Sequence, residues 1–276
     1  MNGWPSRDAG LAREMKLRIA VRDLVNHAFR KGDIGFSFST PGRNTAAIAA
    51  HQKIQRSRPD GYQAEVPVSL EIAFDDLDLI VGGRIDGLFD TPEGTVIEEI
   101  KTSLVEPERI DATTADLHWA QAKCYGHMWA MAKGLSSLHL QLTYFNMETG
   151  IVTAERRTFG SGELAISFTE VVTLFLTWAR TLSAWESLRN AAISALPFPY
   201  ATYRSGQREM AVAVFRAIRD GKQLLIQAAT GIGKTMAALF PSIKALGESR
   251  VNKIFFLTAR TTGTQAPETA IGQQRD

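Results

Sequence analysis

LDLIVGGRIDGLFD (residues 77–90), TPEG (91–94) and TVIEEIKTS (95–103) decide the fold. Two runs rich in Leu, Ile and Val, each with polar residues interleaved, flank a Pro- and Gly-bearing turn, so the stretch reads as strand, turn, strand. Gly82 and Gly83 are expected at a bulge or bend. Asp86 is a charge inside an apolar strand. Glu99 and Lys101 lie two residues apart on the next strand, and side chains alternate between faces of a strand. Both therefore point one way while Glu98 and Ile100 point the other.

Upstream, YQAEVPVSLEIAF (62–74) alternates over much of its length and reads as a further strand. KLRIAVRDLVNHAFR (16–30) spaces Ile19, Leu24, Val25 and Phe29 as an amphipathic helix would. GFSFSTPGRN (35–44) reads as loop, and NTAAIAAHQKIQRS (44–57) as a helix capped by Asn44 or Thr45. Downstream, HWAQAKCYGHMWAMAKG (118–134) is a helix, capped from Thr113 or Thr114 and closed by Gly134. A strand, a turn at Glu148-Thr149-Gly150 and a return strand fill 138–159, and a long helical stretch covers 162–193. Together these predict an α/β domain over 1–196, a mixed sheet flanked by helices.

LPFPYATYRSG (196–206) carries Pro and Gly and makes a natural boundary, so a second domain is expected over 197–276. There REMAVAVFRAIRDGK (208–222) reads as a helix, QLLIQA (223–228) as a buried strand, and NKIFFLTA (252–259) as another. TTGTQAPETAIGQQRD (261–276) is polar and unpatterned.

The bulk numbers exclude more than they identify. Apolar residues are 45% and charged residues 22% of 276, which suits a globular protein and argues against disorder. A net charge of +2 is compatible with nucleic acid without arguing for it. Cys124 is the single cysteine, so no disulfide within the chain and no four-cysteine zinc or iron–sulfur site can be built. No run approaches the roughly 20 consecutive apolar residues of a membrane helix. The N-terminus shows no apolar core after its charges. A cytoplasmic protein is the expectation, with no membrane partner.

The chemistry is in the two charged strands. If they pair around TPEG, Asp86 lies beside Glu99, and two converging carboxylates repel unless a divalent cation sits between them. Mg²⁺ prefers such hard oxygen ligands and keeps several waters. A neighbouring lysine can orient an attacking water and stabilise charge building on a phosphate. This is equipment for phosphodiester hydrolysis, although an Asp with a distant Glu-x-Lys also describes a solvated, charged strand end. His51 on the upstream helix is a candidate ligand or a structural histidine. Gln121 and Tyr125 share one face of the following helix at i, i+4 spacing. Glu65 could also face the site, and a strand-edge charge explains it equally well.

His51, GGRIDG with Asp86, EIKTS with Glu99 and Lys101, and QAKCY with Gln121 and Tyr125 resemble the RecB-like branch of the PD-(D/E)xK nucleases over residues 15–195. The resemblance implies a restriction-endonuclease-like fold acting on DNA with Mg²⁺ or Mn²⁺. It implies metal binding by His51, Asp86 and Glu99, catalysis by Lys101, and Gln121 and Tyr125 organising the site. The iron–sulfur cluster of some relatives is not expected, because its four cysteines are missing. Lys53, Arg56 and Arg58 after His51, and Arg22, Arg30 and Lys31 around the first helix, could meet phosphates or form solvated basic faces.

AATGIGKT (228–235) follows an apolar run and opens a helix, the context a phosphate-binding loop needs. Backbone N–H groups around Thr230, Gly231 and Gly233 can wrap phosphates at a helix N-terminus. Lys234 would reach the β/γ-phosphates of ATP and Thr235 the Mg²⁺. With FPYATYRSGQREM (198–210) upstream and FFLTART (255–261) downstream, this resembles the XPD/DinG branch of superfamily-two DNA helicases. The resemblance implies adenine recognition by Arg204 and Gln207 and an incomplete P-loop (RecA-like) α/β domain. No Walker B Asp-Glu pair follows Thr235, so a truncated helicase is expected, with the missing motor parts supplied by another chain if at all. The two resemblances together predict a metal-dependent DNA nuclease joined to an ATP-binding helicase fragment in DNA repair or processing. The alternatives are a non-catalytic DNA- and nucleotide-binding module that needs a partner, or an inactive remnant with exposed apolar surface at 207–262.

Overall fold

The structure is a computed structural model and describes residues 15–29, 41–258 and 265–272. Arg30, Lys31, most of the loop expected at 35–44 and the Ala259–Thr261 end of FFLTART lie outside the described residues. The chain divides into two compact units, residues 1–178 and 179–276.

The first unit is built on a mixed sheet of six strands flanked by helices. Its elements are β1 (Met15–Ala20), α1 (Val21–Phe29), α2 (Pro41–Arg56), β2 (Gln63–Ala73), β3 (Leu77–Thr91), β4 (Gly94–Ser103), α3 (Ala112–Lys133), β5 (Ser137–Asn146) and β6 (Val152–Gly160). α4 (Ser161–Ala195) follows. β3 and β4 pair antiparallel around the predicted turn, with Gly87 opposite Glu98. β4 and β5 run parallel, with Lys101 opposite Tyr144, and β6 returns antiparallel to β5.

β3 organises the sheet. β2 covers one of its edges from Asp78 to Leu88. On the other edge β1 pairs parallel with Leu77–Gly82 and β4 pairs with Gly87–Thr91. The sheet therefore forks, and residues 83–86 of β3 face the gap between β1 and β4.

Several expectations are corrected. Residues 15–20 are a strand and not the first turns of a helix. Lys16-Leu17-Arg18-Ile19 alternates in charge and apolarity, and the helix begins only at Val21, whose turn buries Val21, Leu24 and Val25. α2 starts at Pro41, where the fixed φ suits a first helical position, ahead of the expected caps Asn44 and Thr45. α3 is capped by Asp111, whose carboxylate accepts from the Thr114 amide at 2.9 Å, and not by Thr113 or Thr114. Gly134 closes it in the left-handed conformation, as expected. The pairing with β2 runs through Gly82 and Gly83 in unbroken register, so no bulge sits there. Gly83 is needed for space: a Cβ would lie 2.6 Å from the Tyr125 hydroxyl. Gly87 makes the same allowance for Tyr62.

The core joins Leu79, Val81 and Ile85 of β3 and Ile97 of β4 with Leu140 and Leu142 of β5, under Met128 of α3 and Leu164 and Phe168 of α4, while Ile100 packs in a separate cluster with Ala50, Ile54 and Phe145. Cys124 is buried on α3. Although no run of 20 consecutive apolar residues occurs in it, α4 is long and apolar enough to cross a membrane by length and mean hydropathy. Its Leu164, Phe168, Val171, Val172, Phe175 and Leu176 are buried at helical spacing, while Ile166, Leu174, Trp178, Trp185 and Leu188 are exposed, so one face of the helix packs on the core.

The second unit is helical among its described residues. α5 (Gln207–Arg219), α6 (Lys234–Gly247) and α7 (Gln265–Gly272) follow the end of α4. α7 lies in the stretch expected to be unpatterned, and its Ala270 packs against Met236 and Leu239. The strands expected at 223–228 and 252–259 are not formed in the described residues. Leu225 is 99% exposed, Phe255 80% and Leu257 89%. A strand needs a neighbour for its N–H and C=O groups, and these apolar runs find no partner strand.

Candidate active site

The fork in the sheet gathers the residues singled out on β3, β4 and α3. The β3–β4 ladder stops at Gly87 and Glu98, so Asp86 and Glu99 stand one step further along the same register. Released from the ladder, the Ile100 amide donates to Asp86 Oδ2 at 2.7 Å. Glu99 is only 2% exposed and its Oε1 accepts from Lys101 Nζ at 2.6 Å. The same amine donates to Gln121 Oε1 at 2.9 Å. Tyr125, one turn on along α3, joins the Gln121 side chain and the Arg84 backbone amide through its hydroxyl. His51 completes the group from α2, with Nδ1 4.0 Å from Asp86 Oδ2.

Electrostatics mark the pair of carboxylates. Burial raises the Asp86 pKa to about 6, against the lowering effect of the Ile100 amide and Lys101. Burial also raises Glu99 to about 7; Lys101 opposes the rise and Asp86 adds to it. Burial lowers the pKa of His51, partly offset by Glu99, and favours the neutral imidazole that a metal requires. Glu99 Oε2 is buried without a hydrogen-bond partner. A buried orphan acceptor is costly, and a cation beside it would remove that cost. Among the described residues, no three His, Cys, Asp or Glu side chains already stand as a ready-made metal set. The donor types still fit a hard divalent ion: two carboxylates, one with an unused oxygen, and a neutral imidazole.

The opposite face of β4 holds a network that the sequence did not reveal. Glu98 is fully buried. It is paired with Arg58, which follows α2, and accepts from the Tyr62 hydroxyl at 2.8 Å and Gln141 Nε2 at 2.9 Å. Arg58 is therefore committed to Glu98 rather than free for DNA phosphates, while Lys53, Arg56 and Arg22 remain exposed. Gln55 Nε2 bridges the Asp86 carbonyl at 3.0 Å and Glu65 Oε1 at 3.2 Å. Glu65, at φ 55, stands opposite Asp86 across the β2–β3 ladder. Glu98 faces away from the carboxylate pair, as strand alternation requires, but its partners are distant in sequence and left no local signal.

In the second unit the glycine-rich loop turns at Thr230 and Gly231 and enters α6 with Gly233 as N-cap, φ 79. Lys234 Nζ donates to the carbonyls of Ala228 and Ala229 at 2.9 and 2.7 Å. Arg204 donates to the Gly231 carbonyl, and Gln207 Nε2 to that of Gly233 at 3.3 Å. The Gln207 amide leaves no room for a Cβ on Gly233. Arg204, Gln207, Gly233 and Thr235 line a cavity of about 380 Å³. Tyr200, Gln265 and Thr269 line it too and were not anticipated.

Comparison with known proteins bears on this second unit. Residues 208–266 match the family model described as DEAD/DEAH box helicase. Over 42 residues the chain is 52% identical to the ATP-dependent DNA helicase YoaA of Escherichia coli (strain K12), covering 15% of this chain and 7% of that one. It is also 52% identical over 42 residues to the ATP-dependent helicase DinG of Mycobacterium tuberculosis (strain ATCC 25618 / H37Rv), covering 6% of that protein. The match spans a small fraction of either relative. It relates the C-terminal part to DNA helicases through a short fragment, and that relation suggests use of ATP. Among solved structures, the crystal structure of SSO0001 aligns with 60% of this chain and 79% of its own at a TM-score of 0.37 and 14% identity, too loosely to carry an argument.

Proposed function

We propose that the first unit is a metal-dependent DNA nuclease that hydrolyses phosphodiester bonds, joined to an ATP-binding fragment of a DNA helicase and working in DNA repair or processing in the cytoplasm. The observation that carries this reading is Glu99 Oε2, a buried carboxylate oxygen with no partner, beside an Asp86 whose pKa is also raised. Asp86, Glu99 and His51 would hold Mg²⁺ or Mn²⁺. When bound, the ion supplies charge to the phosphate and a water acidic enough to attack at neutral pH.

Lys101 can orient that water and meet the charge that grows on the phosphate. Gln121 fixes the Lys101 amine and Tyr125 fixes Gln121. The burial of Glu99 excludes bulk water from one side of the carboxylate pair.

For the second unit we propose nucleotide binding by Arg204, Gln207, Thr230, Gly231, Gly233, Lys234 and Thr235, without turnover by this chain alone. Lys234 is already turned into the loop it would leave to reach phosphates, and the two apolar runs beside the loop have no sheet to hold them. A separate chain that pairs with them could complete a motor.

The test is cleavage of labelled single- and double-stranded DNA in Mg²⁺ or Mn²⁺, with and without ATP. Metal-dependent cleavage that is lost in Lys101→Ala and kept in Lys234→Ala is the expected result. A folded wild-type chain that leaves both substrates intact in both metals defeats the nuclease reading.

A further inference from the structure

A cavity of about 270 Å³ opens at the end of β4, just past Lys101, lined among others by Thr102, Arg109, Thr114, His118 and Tyr144. Its place follows from the fold. Lys101 pairs across the sheet with Tyr144. Thr114, His118, Gln121 and Tyr125 lie on one stripe of α3, at i, i+4, i+7 and i+11. Tyr125 reaches the Asp86 strand, Gln121 holds Lys101, and His118 Nδ1 lies 3.0 Å from the Tyr144 hydroxyl. The stripe runs from the carboxylates straight to the cavity. His118 precedes Gln121 by three residues, a rise of roughly 4.5 Å along α3.

The lining suits one nucleotide. His118 and Tyr144 form a tilted ring pair with centroids 5.7 Å apart. Burial and Lys101 push the His118 pKa down to about 4, so the ring is neutral. A neutral aromatic ring is a surface on which any base can stack. Arg109 is exposed and has no ion pair among the described residues. Asp111 also lines the cavity, but its two oxygens accept from the Thr114 amide and hydroxyl at 2.9 and 2.7 Å. Those bonds turn the Asp111 oxygens toward the α3 N-terminus, and Arg109 is the cationic side chain among the cavity's lining residues.

We propose that this cavity is a nucleotide subsite: it receives the DNA residue flanking the scissile phosphate, with the base on His118 and Tyr144 and the phosphate on Arg109. The proposal rests on the nuclease reading, because that reading puts the scissile phosphate at Asp86, Glu99 and Lys101.

The experiment measures binding of a fluorescent single-stranded oligodeoxythymidine to the full chain in Ca²⁺ over a range of salt, followed by cleavage kinetics in Mg²⁺. Arg109→Ala is expected to weaken binding and to lower the slope of log affinity against log salt by about one. His118→Ala is expected to weaken binding about tenfold with the slope unchanged, and His118→Phe, which keeps a ring, to recover most of the loss. Both alanine variants raise KM more than they lower kcat. If His118→Ala does not fold, the salt slope of Arg109→Ala, a surface change, decides alone.

Wild-type affinity and slope in Arg109→Ala overturn the subsite, as does an absence of oligonucleotide binding by the wild-type chain. The two readings fail separately. Cleavage with unchanged KM in both variants removes the subsite and leaves the nuclease. The predicted binding changes without any cleavage leave a nucleotide-binding cavity but remove the nuclease, and with it the place of the cavity beside a scissile phosphate.

Discussion

The carboxylate site and the phosphate loop carry equally plain sequence motifs, yet the fold treats them differently. Asp86, Glu99 and Lys101 stand on strands held by a ladder on one side, β3 by β2 and β4 by β5, and Lys101 is fixed by two hydrogen bonds. The loop at 228–235 enters a well-formed α6, but the apolar runs at 223–228 and 252–258 lie open. A motif supplies donors and acceptors, whereas the surrounding sheet supplies their rigidity. Only the first site has both.

The sharpest way to break this contrast is amide hydrogen exchange. Residues 96–101 are expected to exchange slower than 223–228 and 252–258 by about three orders of magnitude or more, because only the former must await opening of the sheet. Comparable protection of the C-terminal runs would mean that they find a sheet in solution, and the contrast would collapse.

Next in size is the effect on cleavage. Lys101→Ala is expected to lower kcat by about a hundredfold or more, the scale for losing one preorganised charge at a transition state. Lys234→Ala should leave the rate untouched. Equal losses in the two variants, measured on one DNA substrate, would tie the sites together and refute their independence.

Stability sharpens the comparison further. Arg58→Ala leaves Glu98 buried with its countercharge removed, and a loss of about 3 kcal/mol is expected in denaturant unfolding of the first unit. An unchanged midpoint would mean that Tyr62, Thr143 and Gln141 suffice.

The smallest effect is in pH. Glu99 is raised to about 7 from 4.5 and Asp86 to about 6 from 3.8. Groups with raised folded pKa values contribute stability that is complete below their unfolded values and lost as pH rises through the folded ones. Metal-free protein should therefore be more stable at pH 5 than at pH 8, by about 1–3 kcal/mol. Glu99→Gln should flatten this dependence and exceed wild type at pH 8, while Mg²⁺ should stabilise wild type alone. A wild-type midpoint independent of pH would show that the carboxylates carry no such tension.

How much of this was legible depended on whether the deciding contacts were local. The strand–turn–strand at 77–103 is written in alternation and a Pro-Gly turn, so the meeting of Asp86 with Glu99 could be read ahead of the structure. The spacing of Gln121 and Tyr125 likewise fixed a shared helix face. β1 was hidden because Lys16–Ala20 runs without punctuation into α1, and its pairing with β3 spans a long sequence separation. Arg58 looked like a phosphate contact because its partner Glu98 lies forty residues on. His118 carries no motif, and only the ring of Tyr144 beside it gives it meaning. The runs at 223–228 and 252–258 had the composition of buried strands, but composition records an appetite for a partner and not whether one is met.

The fork in β3 has a consequence for how the molecule meets its neighbours. An open stretch of strand ordinarily invites a foreign strand to dock and start an aggregate. Here the breach is plugged by side chains: the Tyr125 hydroxyl takes the Arg84 amide, and on the facing strand Asp86 takes the amide of Ile100. The same residue that would grip a metal thus also denies the sheet a template, so a variant such as Asp86→Ala is exposed to self-association as well as to inactivity.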